Sequence, residues 1–256
     1  MQLTSVSSHW YQLLLSLAFC VVGFAKGASA EGELPPSVAS TAARKCNLED
    51  VKGVEMTDGT VCFHGLITPQ SSNKFLELAT SDTDVLVISS NGGDVSEAIK
   101  MANRMVDLKM SVVVVGWCMS SCANYIFPAA RQKYVMPRSY IGWHGGPPRS
   151  IPDGMTEKGQ RNYKDMLDAQ SALFSKIGVS ESFIYDHPMN FDFEKAKKSN
   201  AFWTYSPAQL RCKYHILGIM SSWLPFSNGD KETTGSSKNS EVLSNDNNSD
   251  CLKEEK

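Results

Sequence analysis

Ser111-Val112-Val113-Val114-Val115-Gly116-Trp117-Cys118-Met119-Ser120-Ser121-Cys122-Ala123-Asn124-Tyr125-Ile126-Phe127 is the stretch on which the fold turns. Four consecutive valines are too apolar for a half-exposed strand and fit one covered on both faces, as in a parallel sheet. Residues 123–127 begin a helix, so a buried strand runs into a helix through a Ser-Ser turn. Upstream, residues 85–88 (Val-Leu-Val-Ile) repeat the strand signal. The turn Ser90-Asn91-Gly92-Gly93-Asp94 then opens a helix, with Asp94 as cap and Glu97 as its capping-box partner. Ile99, Ala102 and Val106 share one face of that helix, with Met105 beside them. Further out, residues 61–67 form a strand interrupted by Gly65, and residues 74–79 a short helix. Downstream come short strands at 134–136 and 140–144 around Pro137, then a Gly145-Gly146-Pro147-Pro148 loop. A long helix follows over 156–177, with a stripe of Tyr163, Met166/Leu167, Leu173/Phe174 and Ile177, and Gly178 ends it. Ser206-Pro207 caps a last helix through Tyr214. This succession predicts an α/β fold with a mainly parallel sheet and right-handed β-α crossovers.

The 256 residues are 42% hydrophobic and 20% charged, which suits one well-packed domain. A net charge of −2 offers no basic field for a nucleic-acid backbone, so a nucleic-acid partner is excluded. Residues 10–25 are mostly apolar, and Ala28-Ser29-Ala30 has the small-x-small pattern of a signal-peptidase site, although no Lys or Arg precedes Lys26. Residues 1–30 are therefore expected to be a signal peptide cleaved after Ala30, with an uncleaved membrane anchor as the alternative. Residues 31–60 read as a lead-in, 61–218 as the domain, and 226–256 as a disordered polar tail with too little apolar surface to fold.

Six cysteines remain beyond the signal segment: Cys46, Cys62, Cys118, Cys122, Cys212 and Cys251. In an exported chain they allow disulfides. Cys46 and Cys62 flank the Thr57-Asp58-Gly59 turn and form the expected pair, closing a loop worth ~3 kcal/mol. Cys118 and Cys122 read as two small buried thiols or as a disulfide near the site, with Cys212 a further candidate. Cys251 is expected to be free or bridged between chains. Zinc-ligand spacing is lacking, and no metal or organic cofactor is implied.

Three features stand at strand ends, where parallel α/β sheets build their sites: Gly92-Gly93, Ser120-Ser121 and His144. A Ser at a strand-to-helix turn is exposed to a His that can take its proton. Backbone N–H groups of a Gly-Gly turn and of Ser121 can stabilise the charge on a tetrahedral intermediate. The bland readings are a serine helix cap, a hydrogen-bonded strand-end histidine and a plain turn. His64, His187 and His215 have no partner motif and read as structural, and Trp143, Phe202 and Trp203 as core.

Ser90-Asn91-Gly92-Gly93-Asp94-Val95, Cys118-Met119-Ser120-Ser121-Cys122-Ala123 and the segment from Pro137 through Ile141-Gly142-Trp143-His144 resemble the three motif blocks of Clp-type serine peptidases, in the ClpP/crotonase superfamily. The likeness is greatest to small exported bacterial Clp-like proteins with a C-x-S-x-C serine motif, and it spans about residues 61–218. The resemblance implies a ClpP/crotonase-like fold with Ser120 as nucleophile, His144 as base, and Gly92, Gly93 and Ser121 as the oxyanion hole. It also implies a peptide or protein substrate, an envelope or periplasmic location and a homo-oligomer. Ser-Asn-Gly-Gly stands where the family has Ser-Pro-Gly-Gly. The family's orienting Asp, four residues before the position of Ser206, is here Phe202. Asp186 or Asp192 reaching His144 from elsewhere, or a Ser–His dyad, are the alternatives. Without the acid, the runner-up is a non-catalytic envelope binding or assembly protein. A thioesterase-like acyl transfer is weaker still, because acyl-CoA is cytosolic.

Overall fold

In the computed structural model, which describes residues 34–187 and 202–223, the valine stretch is an inner strand of a six-stranded sheet. The chain runs α1 (Pro36–Lys45), β1 (Gly53–Thr57), β2 (Thr60–His64), α2 (Pro69–Leu78), β3 (Val85–Ser90), α3 (Val95–Asp107) and β4 (Ser111–Met119). A π-turn at Cys122–Ile126 then leads into α4 (Phe127–Ala129), β5 (Lys133–Val135), β6 (Tyr140–Gly142), α5 (Glu157–Ile177), a 3-10 turn at Glu181–Ile184, and α6 (Pro207–Tyr214). The strand order is β1-β2-β3-β4-β5, with β6 also on β4; only β1 and β2 pair antiparallel. The fold is thus α/β with a mixed, mostly parallel sheet.

The pleat sorts the apolar strand residues onto two faces. Val61, Phe63, Leu86, Ile88, Val112 and Val114 point into one core with Phe75 of α2, Met101 and Met105 of α3, and Leu173 and Phe174 of α5. Cys62, Val85, Val87, Val113 and Tyr134 point the other way, under Ala39 and Ala42 of α1. Continuous valines are what a strand between two covered faces requires. Residues 31–60, expected as a mere lead-in, instead supply α1 and β1, and α1 covers the second face. Cys46, at the end of α1, is disulfide-bonded to Cys62 of β2 (Cα–Cα 5.4 Å), which fastens that cover to the sheet as expected.

Several local expectations shift. Strand β2 stops at His64; Gly65 breaks it, and Ile67 instead bridges Gly93. Asp94 does cap α3, accepting from Glu97 N–H at 3.0 Å, but the Glu97 carboxylate turns to Lys100 (2.7 Å), so no capping box closes. The domain also continues past residue 218: Ile219 bridges Lys133, and Ser221 Oγ accepts from Val135 N–H. The expected signal peptide and polar tail, with Cys251, lie outside the described residues. No helix among the described residues is long and apolar enough to cross a membrane.

Strand β4 is long because it serves two neighbours in turn. Val112–Val114 pair with β5, while Trp117, Cys118 and Met119 pair with β6. Between these stretches the register against β3 slips: Ile88 faces Val114, yet Ser90 faces Cys118. The irregularity, with Gly116 at φ 76°, bends the strand, as bulges beside functional sites do, and brings its end beside β6 and the residues that follow it.

Candidate active site

Ser120 is the first residue past β4 and lies in the left-handed region, at φ 54°. That conformation is uncommon for a residue with a Cβ and has to be held by its surroundings. Ser120 N–H donates to Gly142 O of β6 (3.0 Å), and Ser120 O accepts from Asn124 N–H of the π-turn (2.8 Å). The Gly92 backbone lies directly against this turn. A Cβ on Gly92 would stand 2.6 Å from Met119 O and 2.8 Å from both Ser120 Cβ and Ser121 N, and φ at Gly92 is 87°. Glycine is needed there for conformation and for space alike.

The serine side chain meets the histidine. Ser120 Oγ and His144 Nε2 are 2.6 Å apart, bringing together residues 24 positions distant in sequence. His144 follows β6 and Trp143, whose backbone exchanges two 2.8 Å hydrogen bonds with that of Trp203. The His144 ring keeps access to solvent, but the protein crowding one side of it desolvates the charged form and lowers its pKa from the ordinary 6.5. A lowered pKa keeps the imidazole neutral near pH 7, the form that can accept a proton.

Ser121 precedes the π-turn at its N-cap position, but neither serine caps it with a side-chain hydrogen bond. Ser121 Oγ, in a residue only 2% exposed, donates to Gly93 O at 2.8 Å and so ties the serine turn to the glycine turn. The glycine turn is anchored in its own right: Ile67 N–H donates to Gly92 O (2.8 Å) and Asp94 N–H to Ile67 O (2.9 Å). A side chain on Gly93 would run into the Ile67 backbone. The five residues singled out from sequence therefore converge. One detail departs from expectation: Gly92 N–H donates to Ser90 Oγ (3.1 Å), so as an oxyanion donor it competes with that hydroxyl.

The acid side of the histidine is different. Phe202, at the sequence position where the resemblance expects the orienting carboxylate, packs its ring edge-on to His144, centroids 5.2 Å apart. Asp186 is engaged elsewhere. It accepts from the Tyr214 hydroxyl (3.1 Å) and pairs with Lys213 (3.2 Å), while its backbone carbonyl accepts from the Tyr205 hydroxyl. Burial first, then Tyr205 and Asp186, push the Tyr214 pKa far up, so that hydroxyl stays a donor. Asp192 lies outside the described residues. Among the described residues, His144 Nδ1 has no hydrogen-bond partner.

Asn124 carries no sequence signal, yet it touches both halves of the site. Besides the bond from its N–H to Ser120 O, its Nδ2 donates to Gly145 O (3.1 Å), the residue after His144. Its Oδ1 is buried without a partner among the described residues. An Asn just inside a helical turn is unremarkable in sequence, and only the fold reveals its second contact.

Cys118 and Cys122 are joined in a disulfide (Cα–Cα 5.2 Å) that spans Ser120, so the buried-thiol reading is wrong and Cys212 is not their partner; Cys212 is itself disulfide-bonded. Trp143 and Trp203 are core, as expected, while Phe202 is only half-buried. His64 Nδ1 contacts Val51 O (3.2 Å), His187 packs near Trp203, and His215 ends α6. Among the described residues, no cluster of His, Cys, Asp and Glu is placed to hold a metal ion.

A cavity of about 440 Å³ lies between the C-terminal ends of α3 and α5, the residues after α4 and those after α6. Lys109, Arg131, Lys133, Lys176 and His215 line it. Cations are expected where helix C-termini converge. Lys133 is 3% exposed and donates to Ala130 O (2.5 Å) and Leu217 O (2.7 Å), and burial pulls its pKa down to about 7. None of Gly92, Gly93, Ser120, Ser121 and His144 lines this cavity.

No protein-family model matches the chain, and no curated protein matches it.

Proposed function

We propose that the chain is a serine hydrolase, a peptidase of the ClpP/crotonase type acting outside the cytoplasm. The observation that carries the reading is the 2.6 Å contact between Ser120 Oγ and His144 Nε2, at a serine held in the left-handed region. In this reaction Ser120 Oγ attacks the substrate carbonyl carbon while His144 Nε2 takes its proton. The N–H groups of Ser121 and of the Gly92-Gly93 turn hold the oxyanion. His144 then protonates the leaving amine, and water releases the acyl group from Ser120 by the same steps in reverse.

Location follows from two supports. The 1–30 segment has the signature of a cleaved export signal, with Glu31 as the mature N-terminus, and disulfides persist in oxidising compartments such as the periplasm. The substrate is a peptide or protein, no metal or cofactor takes part, and a homo-oligomer is proposed from the resemblance alone.

A second reading rests on Phe202. With an aromatic ring where a carboxylate would orient the imidazole, the fold serves as a non-catalytic envelope binding protein. A fluorophosphonate, which needs an activated hydroxyl, separates the two. The hydrolase reading expects labelling of the purified mature protein and none in Ser120→Ala. Folded wild-type protein that stays inert from about pH 6 to 9, where an ordinary imidazole is neutral, overturns it and favours the binding protein.

A further inference from the structure

We infer that Cys118 and Cys122 are positioning residues for Ser120, and that the site becomes competent only once their disulfide has formed. The inference rests on the hydrolase reading and adds a maturation step to it.

The bond joins the end of β4 to the first residue of the π-turn, and Met119, Ser120 and Ser121 are the only residues between the cysteines. Ser120 is the middle one and has the unfavourable backbone, φ 54°. With the two ends of so short a segment fastened, the middle residue has few ways to relax toward the conformations an L-residue prefers. The hydrogen bonds that also hold Ser120, to Gly142 O and from Asn124 N–H, are reversible and exchange readily with water. The disulfide does not.

A second observation separates this bond from an ordinary staple. Chain-entropy stabilisation grows with the loop closed, and the Cys118–Cys122 loop, at a separation of 4, is far shorter than the Cys46–Cys62 loop at 16. The longer loop fastens α1 to the sheet and does not enclose Ser120. The shorter one has less to give to global stability and acts on the segment it encloses.

Both Cys118 and Cys122 are 0% exposed. The bond therefore forms while the π-turn is still open. A thiolate of one cysteine attacks the disulfide of an oxidant, either a disulfide-carrying oxidoreductase or oxidised glutathione. The second thiolate attacks the cysteine sulfur of the resulting mixed disulfide, forming the Cys118–Cys122 bond and expelling the oxidant's sulfur; the oxidant leaves as two thiols, having taken up two electrons and two protons. Once the turn packs, reductants no longer reach the sulfurs. In a reducing compartment the chain keeps two thiols and a loose Ser120, and export followed by oxidation completes the site.

The test compares wild type, Cys118→Ala/Cys122→Ala and Cys46→Ala/Cys62→Ala as full mature chains, with circular dichroism for the fold. Fluorophosphonate labelling rates and the His144 titration by NMR are measured on each. We expect the Cys46/Cys62 variant to label within about two-fold of wild type, and the Cys118/Cys122 variant about 100-fold more slowly, the scale of a 1 Å misplacement. The His144 titration should shift only in the latter, an effect that a general loss of stability would not produce. If the double variant fails to fold, Cys122→Ser and wild type refolded with its thiols kept reduced take its place; both are expected to be slow, with reoxidation of the latter restoring the rate. A folded Cys118/Cys122 variant with wild-type rate and titration overturns the inference. Wild type inert to the probe, but with a titration that still shifts in that variant, sinks the hydrolase reading and leaves the positioning claim. Inert wild type with no shift sinks both.

Discussion

The two sides of the His144 ring are built to different standards. On the Nε2 side stands Ser120, held by Gly142, Asn124, the close packing of Gly92 and a disulfide. Away from Nε2 the ring meets the edge of Phe202, and among the described residues no carboxylate acts on His144. The proposed nucleophile is thus placed by covalent and backbone constraints, while the proposed base is placed by packing and by the loop after it. Such a site has a ready proton acceptor, but among the described residues no carboxylate is placed to stabilise the imidazolium as it forms. In a full triad, losing that group's charge costs about 10⁴ in turnover. Slow phosphonylation by a reactive fluorophosphonate is compatible with this arrangement, and fast peptide turnover is not.

The largest effects belong to the serine side. Ser120→Ala should abolish fluorophosphonate labelling, and His144→Ala should slow it by about 10³-fold or more. Neither should unfold the protein, since no large buried group is lost. Equal rates in His144→Ala and wild type would mean that the two sides of the ring do not matter at all.

Phe202→Asp attacks the contrast from the other side. A carboxylate next to the ring would favour the imidazolium, so labelling should speed up by about 10-fold or more. It should also move the pH inflection upward, because an opposite charge raises a histidine pKa that desolvation now lowers. The loss of the aromatic contact should reduce stability by about 1–2 kcal/mol. An unchanged rate with unchanged pH dependence would show that the acid side was never limiting.

Asn124→Ala loosens both sides at once. Removing the bond to Gly145 O frees the backbone after His144 while leaving the 124 N–H to Ser120 O in place. Labelling kinetics should fall by about 10-fold, with stability down by about 1 kcal/mol in urea unfolding. A stability loss with no rate loss would make Asn124 purely structural. The smallest effect is expected from Ser121→Ala. It keeps the oxyanion N–H and loses only the bond to Gly93 O, so the labelling rate should drop by about 2–5-fold, in line with ~1 kcal/mol for one hydrogen bond.

Much of this was visible in the sequence because the parallel strands are buried on both faces and therefore spell out unbroken apolar runs at 85–88 and 112–115. The glycines at 92 and 93 and the serine at a strand end marked the site for a related reason. Close backbone approach demands residues that few other places need. Phe202 was legible only through its spacing from Ser206. Strand β1 escaped because Gly-Val-Glu-Met-Thr has one buried side chain and no alternation, and α1 because small alanines, not large apolar residues, make its buried face. The capping box at Asp94 failed since Glu97 found a lysine three residues on, a competition that sequence leaves open. The link from Asn124 to Gly145 depends on a turn 21 residues away and had no local signature.

The most direct test of the central claim is to map the fluorophosphonate adduct on wild-type protein by peptide mass spectrometry while following its rate against pH. Ser120 should carry the adduct. The rate should be flat at neutral pH and fall only as acidity protonates His144, with an inflection below the ordinary histidine value of 6.5 because desolvation disfavours the charged ring. An adduct on another residue, or a rate on Ser120 that shows no such inflection and persists in His144→Ala, would contradict the account.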